Sequence, residues 1–317
     1  CRQREGLSVY AVTHRLRTLA RIRWVFLCTL LLGAAASAQD LEPRAYSNVP
    51  VGLNFVLAGY GYALGGLPTD TALPIEDAEI SQHTTLLAYS RSFGLLGRLA
   101  KFDFILPYSW LSGSALVAGQ PIEREINGFN DPRLRFTYIF YGAPALSLDE
   151  WMQRPDDLAI GASLQVMAPL GQYDDERVVN IGTNRWALKP ELGVSKAWGP
   201  VSLELSSAVT WYQDNHDFVG VVREQDPLYA FQAHAVYSFR RSLWLALDGT
   251  YYLGGRTRVG GLQNDDMQSN TRVGVTFAVP LSARMALKFY ASTGVSTRVG
   301  GDWDAAGVVW QLRWGGG

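Results

Sequence analysis

Residues 271–279, TRVGVTFAV, place an apolar side chain at every second position from Val273 and a small or polar one between them. A period of two is typical of a β-strand with two chemically different faces, because successive side chains of a strand point to opposite sides. The same alternation occurs in residues 243–253, LWLALDGTYYL, and in residues 101–110, KFDFILPYSW. Between residues 39 and 317 we find no sustained helical period with caps, so the pattern predicts an all-β fold.

About twelve such segments follow one another along the chain, and most are ten to fourteen residues long. Strands of soluble proteins have a mode of about five or six residues, whereas a tilted strand that crosses a bilayer needs roughly nine to eleven. The length therefore favours a transmembrane antiparallel β-barrel. The segments lie near residues 51–64, 80–93, 99–110, 130–140, 157–168, 186–197, 201–213, 227–239, 242–253, 269–279, 284–295 and 303–314.

The connections between these segments alternate in length. Short ones, such as residues 94–98 and 198–200, alternate with long polar ones, such as residues 169–185 and 254–268. Short periplasmic turns and long extracellular loops are typical of bacterial outer-membrane barrels. One connection on the short side, residues 141–156, is long, and we expect a brief helix within it near residues 147–154.

The first 38 residues are predicted to be a cleaved signal peptide. Four arginines between residues 15 and 23 precede an apolar run over residues 24–36, and the sequence Ala36-Ser37-Ala38 has the form of a cleavage site. The run is shorter than the ~20 residues of a membrane-spanning helix. We therefore expect a signal peptide at 1–38, a periplasmic N-terminal segment at 39–50 and an outer-membrane barrel at 51–317. Whether residues 39–50 plug the lumen or extend into the periplasm stays open at this point.

Composition excludes several classes of function. Six arginines, one glutamate and both cysteines lie within residues 1–38, which leaves 22 basic and 28 acidic residues and a net charge of −6. A chain without cationic excess is not expected to bind nucleic acid, and one without cysteine is neither a disulfide scaffold nor a thiol enzyme. The aromatic residues, 12% of the chain, suit the girdles at the two membrane interfaces.

Several short motifs resemble one family. They are residues 40–46 (DLEPRAY), 51–55 (VGLNF), 59–62 (GYGY), 131–135 (DPRLR), 169–173 (PLGQY), 180–191 (NIGTNRWALKPE) and 292–296 (STGVS). Together they are similar to transporters assigned to the MetA pathway of phenol degradation, and the likeness covers most of the chain after residue 38. The resemblance implies an outer-membrane barrel that takes up aromatic or hydrophobic compounds. It implies no catalytic residues.

The alternation also predicts which side chains line the lumen, since a charge facing lipid at mid-bilayer costs ~2–4 kcal/mol for Arg or Lys. Ten charged residues are expected to face inward: Asp103, Arg133, Arg135, Lys189, Glu191, Glu204, Asp248, Arg272, Lys288 and Arg313. Five tyrosines are expected beside them as an aromatic lining: Tyr60, Tyr62, Tyr212, Tyr252 and Tyr290. Such an interior is either a polar path for solutes or a lumen closed by its own ion pairs.

Three hypotheses for function follow. The first is a channel for small, hydrophobic or aromatic compounds; the second is a structural barrel with a plugged lumen. The third, an outer-membrane enzyme, is disfavoured because only His83, His216 and His234 follow residue 38. No cofactor or metal is expected, since acidic pairs such as Asp265-Asp266 lack a diagnostic ligand spacing. The expected partners are outer-membrane lipid and lipopolysaccharide, the barrel-assembly machinery during biogenesis, and a small-molecule solute.

Overall fold

The computed structural model describes residues 42–66, 75–117, 120–154, 157–240, 242–299 and 303–316. The predicted signal peptide at 1–38 lies outside these residues. The described residues form twelve strands of one ring: β1 (Leu53–Gly66), β2 (Ile75–Leu95), β3 (Arg98–Val117), β5 (Arg133–Tyr141), β6 (Ala159–Met167), β7 (Ala187–Trp198), β8 (Val201–Tyr212), β11 (Leu228–Arg240), β12 (Leu243–Gly254), β15 (Gln268–Pro280), β16 (Met285–Ser296) and β17 (Trp303–Gly315). The other elements are β4 (Gln120–Phe129), β9 (Asn215–Phe218), β10 (Val221–Gln225), β13 (Thr257–Val259), β14 (Leu262–Gln263) and the helix α1 (Leu148–Gln153).

The twelve long strands close into an antiparallel barrel. Around the ring the order is β1, β2, β3, β5, β6, β7, β8, β11, β12, β15, β16 and β17. The ring closes where β1 pairs with β17, from Leu53 opposite Gly315 to Gly65 opposite Trp303. Closure pairs the backbone groups that an open sheet edge would leave unsatisfied in hydrocarbon. The predicted twelve-stranded barrel is therefore confirmed.

The two faces of the wall have opposite chemistry. On β12, Asp248 is 5% exposed, whereas the adjacent Leu247 is 63% exposed. Apolar side chains on the outside and polar ones inside are the reverse of a soluble protein, and they suit a barrel whose outer surface contacts acyl chains. The core that holds the fold is therefore largely polar and lies within the lumen.

Two prolines interrupt hydrogen-bond ladders. Pro107 lies on β3 where the neighbouring strand changes, because β5 pairs with β3 only as far as Ile105 and β4 pairs with β3 from Tyr108 onward. Pro190 lies on β7 where pairing with β8 lapses between Leu188 and Glu191. Proline has no N–H to donate, so it is tolerated at such gaps.

One end of the barrel carries the short turns and α1. The turn between β2 and β3 takes a left-handed backbone at Leu96 and Gly97, with φ of 50° and 73°. The predicted helix in the long connection is confirmed as α1, which starts at a capping box: Ser147 Oγ accepts from Glu150 N, and the Glu150 carboxylate accepts from Ser147 N at 2.8 Å. These two reciprocal bonds satisfy backbone groups that the start of a helix leaves free.

The other end carries the long loops. The hairpin of β9 and β10 and the pair β13 and β14 form a small four-stranded sheet there. The loop between β6 and β7 folds back over the wall, and Val179 and Ile181 pack against the inner residues Ile80, Leu111 and Ile126. This mouth of the barrel is therefore narrowed by one of its own loops.

Candidate functional site: the barrel lumen

The strand registers place all ten predicted charged residues on the inner face. Asp103 is opposite Arg135, Gln165 is opposite Lys189, and Asp248 is opposite His234. The other members of the set follow by alternation along their strands: Arg133, Glu191, Glu204, Arg272, Lys288 and Arg313.

The tyrosines divide between the two faces. Tyr212, Tyr252 and Tyr290 face inward, and Tyr290 lies over Gly307, where an added Cβ would come within 2.4 Å of the phenol oxygen. The expectation for Tyr60 and Tyr62 is wrong, because on β1 the inner positions belong to Gly59 and Gly61.

Their place on the outer wall explains the error. Tyr60 is 46% exposed and its hydroxyl lies 2.6 Å from His83 Nδ1, while the Tyr62 ring lies 4.5 Å from the same imidazole. In the Gly-Tyr-Gly-Tyr sequence, alternation shows that the two tyrosines share a face of the strand, but it does not show which face. The register, with Tyr60 opposite Val308 and Tyr62 opposite Ala306, decides it.

Residues 42–50, named here the strap, lie within the lumen at the short-turn end. Tyr46 is 3% exposed and packs with Leu99, Ile139, Ala143 and Ala159. Its hydroxyl donates to Glu191 Oε1 at 2.9 Å. Burial, reinforced by the Glu191 charge, raises the pKa of Tyr46 above its usual value, so the ring stays neutral and continues to donate.

Two glycines make room for this ring. A Cβ on Gly193 would lie 2.1 Å from Tyr46 Cε2, and one on Gly161 would lie 3.1 Å from Tyr46 Cδ1. Both glycines face inward and are opposite each other on β6 and β7. The seat of Tyr46 is thus built into the wall by the absence of two side chains.

A carboxylate on β8 holds the strap backbone. Glu204 Oε1 accepts from Ser47 Oγ at 2.8 Å and from Ser195 Oγ at 2.9 Å, and Glu204 Oε2 accepts from Arg44 N at 2.5 Å. Three donors suit a buried carboxylate, since a charge without partners inside a protein is costly.

The strap also carries charge into the lumen. Arg135 donates from Nε to Asp103 at 2.9 Å and from Nη2 to the Glu42 carboxylate at 2.6 Å. The positive charge of Arg135 holds the pKa of Glu42 well below its usual range, at about 2. Next to them, Lys101 donates to the carbonyl oxygen of Ala45. Two cations and two carboxylates therefore lie together, one of the carboxylates comes from the strap, and the positive charge of Lys288 also acts on it.

Further along the wall, His234 and Asp248 form a polar cross-link. His234 Nδ1 lies 2.7 Å from Asp248 Oδ1, and Asp248 Oδ2 accepts from Thr276 Oγ1 at 2.8 Å. The threonine hydroxyl is bonded to the carboxylate and not to the imidazole, so it is not placed for activation as a nucleophile. Arg272 is fixed similarly, 3.5 Å above the Trp303 ring. The contacts of Asp248 join the neighbouring strands β11, β12 and β15, whereas Arg272 reaches from β15 past β16 to β17.

One sector of the inner wall is apolar. Adjacent inner positions of β17, β1, β2 and β3 carry six such residues, named here the apolar patch: Leu57, Leu86, Ala88, Ile105, Pro107 and Val309. Gly59 lies among them, and a Cβ there would come 3.2 Å from Val309 Cγ2 and 3.4 Å from Leu86 Cβ. In a ring of twelve, β1 and β2 lie opposite β8 and β11. The apolar patch therefore faces the polar wall that carries Glu204 and His234.

Alternation along the sequence does not reveal this patch, although its residues stand out in another way. Leu86, Ala88 and Ile105 belong to stretches that are apolar at nearly every position. Such runs lose the alternation that marks an inner face, so only the cross-strand register separates Leu86 from its outward neighbour Leu87.

Among the described residues, the histidines lie apart from one another and no metal-binding cluster forms. His216 is exposed on β9, and His83 bonds to Tyr60 on the outer wall. Over the ranges given above, no group of three or more His, Cys, Asp or Glu side chains is placed to hold a metal ion. In the same part of the chain, no helix combines the length and apolar character needed to cross a membrane.

Comparison with solved structures gives the same architecture. The crystal structure of the COG4313 outer membrane channel from Pseudomonas putida F1 is similar with a TM-score of 0.73 at 20% identity, covering 87% of this chain and 100% of that one. More distant similarities include the P. putida toluene transporter TodX (TM-score 0.44, 9% identity, 84% and 91% covered) and the KdgM porin in complex with disordered oligogalacturonate (0.44, 8%, 82% and 98%). Among curated proteins, no sequence matches.

The sequence profile of one family matches residues 67–312, which is more than half of the chain. The match includes eleven of the twelve barrel strands in whole or in part, and with them most of the inner wall. The protein therefore belongs to the family described as "Putative MetA-pathway of phenol degradation".

Proposed function

We propose that the protein is an outer-membrane channel through which small hydrophobic or aromatic compounds pass. The single observation that carries this proposal is the apolar patch opposite the polar wall. A solute with an apolar ring and a polar group would contact each wall with the matching part. Such a path lowers the cost of leaving water for the ring, at about 25 cal/mol per Å² of apolar surface.

The fold supports the same class of function. A barrel of twelve strands lies between eight-stranded barrels filled by side chains and sixteen-stranded porins with an aqueous channel. The similar barrel from P. putida F1 is itself described as an outer membrane channel.

The test measures selectivity in liposomes. Purified protein is inserted, and the permeability to a small phenol-like aromatic is compared with that to a sugar of similar size. We expect Leu86→Asn to lower the aromatic-to-sugar ratio severalfold, because the amide replaces part of the apolar patch. Leu87→Asn is the matched control, since Leu87 is on the outer face and 60% exposed; it should leave the ratio unchanged.

The alternative is a structural barrel without transport. The strap and the loop after β6, which occupy the two ends of the lumen, are the observations that favour it. Absence of both flux and conductance in the wild-type protein would support this alternative and refute the channel.

A further inference from the structure

The apolar patch contains a recess at Gly59. This residue faces the lumen from β1, opposite Leu86 of β2 and opposite Val309 of β17. A Cβ on Gly59 would touch both of these side chains, and the glycine itself is partly exposed. The space between the two apolar side chains therefore stays open because Gly59 has no side chain.

Tyr290 reaches from β16 toward this recess. It is opposite Gly307 of β17, and a Cβ on Gly307 would lie 2.4 Å from Tyr290 Oη and 2.6 Å from Cζ. The tip of the phenol therefore lies over β17, the strand next to β1. Among the described residues the Tyr290 hydroxyl has no hydrogen-bond partner, so it is available to a molecule in the lumen.

Lys288 supplies a positive charge on the same strand. It is partly exposed and lies opposite Val309, which places its backbone two strand spacings, about 10 Å, from Gly59. Its flexible four-carbon stem can cover much of this distance.

In the part of the chain that the structure describes, no carboxylate lies within ion-pair distance of the Lys288 ammonium group. Five carboxylates of the inner wall and the strap already have other partners: Asp103 and Glu42 contact Arg135, Glu191 contacts Tyr46, Glu204 contacts Ser47, and Asp248 contacts His234. The Lys288 charge is therefore available to an anion from outside the protein.

This combination fits one class of solute. An aromatic ring in the recess would pack against Leu86 and Val309 and lose apolar contact with water. A carboxylate on that ring has two acceptor oxygens, which match the two donors Lys288 Nζ and Tyr290 Oη. Hydrogen bonds to an ionised acceptor are roughly twice as strong as neutral ones, so an aromatic carboxylate gains more here than a neutral aromatic of the same size.

We propose that the recess at Gly59, together with Lys288 and Tyr290, is a binding site in the lumen for aromatic carboxylates. The inference deepens the channel function proposed above by naming a class of solute, and it rests on a lumen that solutes enter. It assigns Lys288 as the ion partner, Tyr290 as a hydrogen-bond donor and Gly59 as the seat of the ring.

The experiment is a fluorine NMR titration of the full barrel in detergent at pH 7. The probes are para-fluorobenzoate, which is an anion, and para-fluorobenzamide, which is neutral and similar in size. The wild type should bind the anion about tenfold more tightly. Lys288→Met keeps an unbranched side chain but removes the charge, so it should abolish this preference and leave the binding of the amide unchanged.

The matched control is Lys196→Met, which removes the same charge from the outer face of β7. Lys196 contacts Asp157 and lies 5.9 Å from the Trp198 ring centre, so wild-type binding of both probes is expected. An equal loss of benzoate binding in Lys196→Met and Lys288→Met would show an effect of total charge and would overturn the site.

Two further variants test the donor and the seat. Tyr290→Phe keeps the ring and should weaken binding of the benzoate about threefold, with little change for the amide. Gly59→Val fills the recess with a residue that suits a strand, and it should weaken both probes. Acetate has the charge without the ring, so it should displace the benzoate probe only at a concentration about ten or more times that of unlabelled benzoate; equal competition would refute the recess.

Flux of the same two probes into liposomes separates the two proposals. If both probes enter and the barrel binds them equally, the carboxylate site is refuted and the channel stands. If binding prefers the benzoate through Lys288 but neither probe enters, the channel function fails and the site is supported. Preference in both binding and flux, lost in Lys288→Met, supports both.

Discussion

Release of the strap is predicted when the Tyr46 ring loses its seat. The ring is 3% exposed, and a buried tyrosine removes roughly 150–250 Å² from water. At ~25 cal/mol per Å² this is about 4–6 kcal/mol, and aromatic-to-alanine substitutions in cores cost about 3–5 kcal/mol. Tyr46→Ala should therefore weaken seating by about 4 kcal/mol, which increases the released population about a thousandfold.

Gly193→Ala should have nearly the same effect from the other side of the contact. Its methyl carbon would lie 2.1 Å from Tyr46 Cε2 and 2.5 Å from Cζ, and it is fixed to a strand backbone that cannot retreat. Tyr46→Phe should be milder, at about 1–3 kcal/mol, since it keeps the ring and leaves only the acceptors Glu191 and Ser163 without the phenol.

The assay is limited trypsin digestion of the purified protein in detergent, with cleavage after Arg44 followed by mass spectrometry. When release is fast compared with cleavage, the cleavage rate follows the released population. Tyr46→Ala and Gly193→Ala should then be cut about 10²–10³ times faster than the wild type. Gly249→Ala is the control and should be cut at the wild-type rate, because an added Cβ at Gly249 meets nothing within 4 Å. Equal cleavage of wild type and Gly193→Ala would refute the seat and the reasoning built on it.

Three further predictions concern the wall, a loop and pH. Leu247→Arg, on the lipid-facing side, should destabilise the barrel in vesicles by about 2–4 kcal/mol, while Leu262→Arg, 76% exposed in β14, should change denaturant unfolding little. Asp131→Ala removes three hydrogen bonds from the loop after β6 and should speed amide exchange in that loop, leaving barrel strands protected. The pKa of Glu42 falls from 4.5 to about 2, so its pairing with Arg135 is fully present above pH 4.5 and is lost only as pH falls through about 2. In a salt gradient across a planar bilayer, Glu42→Gln should shift the reversal potential toward anions, and this shift should be the same at pH 7 and at pH 4. A shift that vanished by pH 4 would contradict the pairing.

Much of the architecture is encoded locally. Alternation in residues such as 243–253 predicts both the strand and its two faces, because the pleat of a strand has a period of two. Strand length then predicts that the strands cross a membrane. The alternation of short turns and long loops predicts at which end of the barrel each connection lies. For this reason the twelve segments and the helix near 147–154 agree with the structure.

Three features were decided only in three dimensions. Tyr60 and Tyr62 alternate with glycines, so local pattern leaves their face undetermined until β1 pairs with β17. The apolar patch lies in continuous apolar runs, which carry no alternation at all. The strap makes its contacts with residues between 42 and 200 positions away, from Pro50 with Ser92 to Arg44 with Trp244, and no local pattern encodes a pairing at that distance. Sequence by itself therefore determined a membrane barrel with a polar interior, while closure of the ring decided which side chains meet inside it.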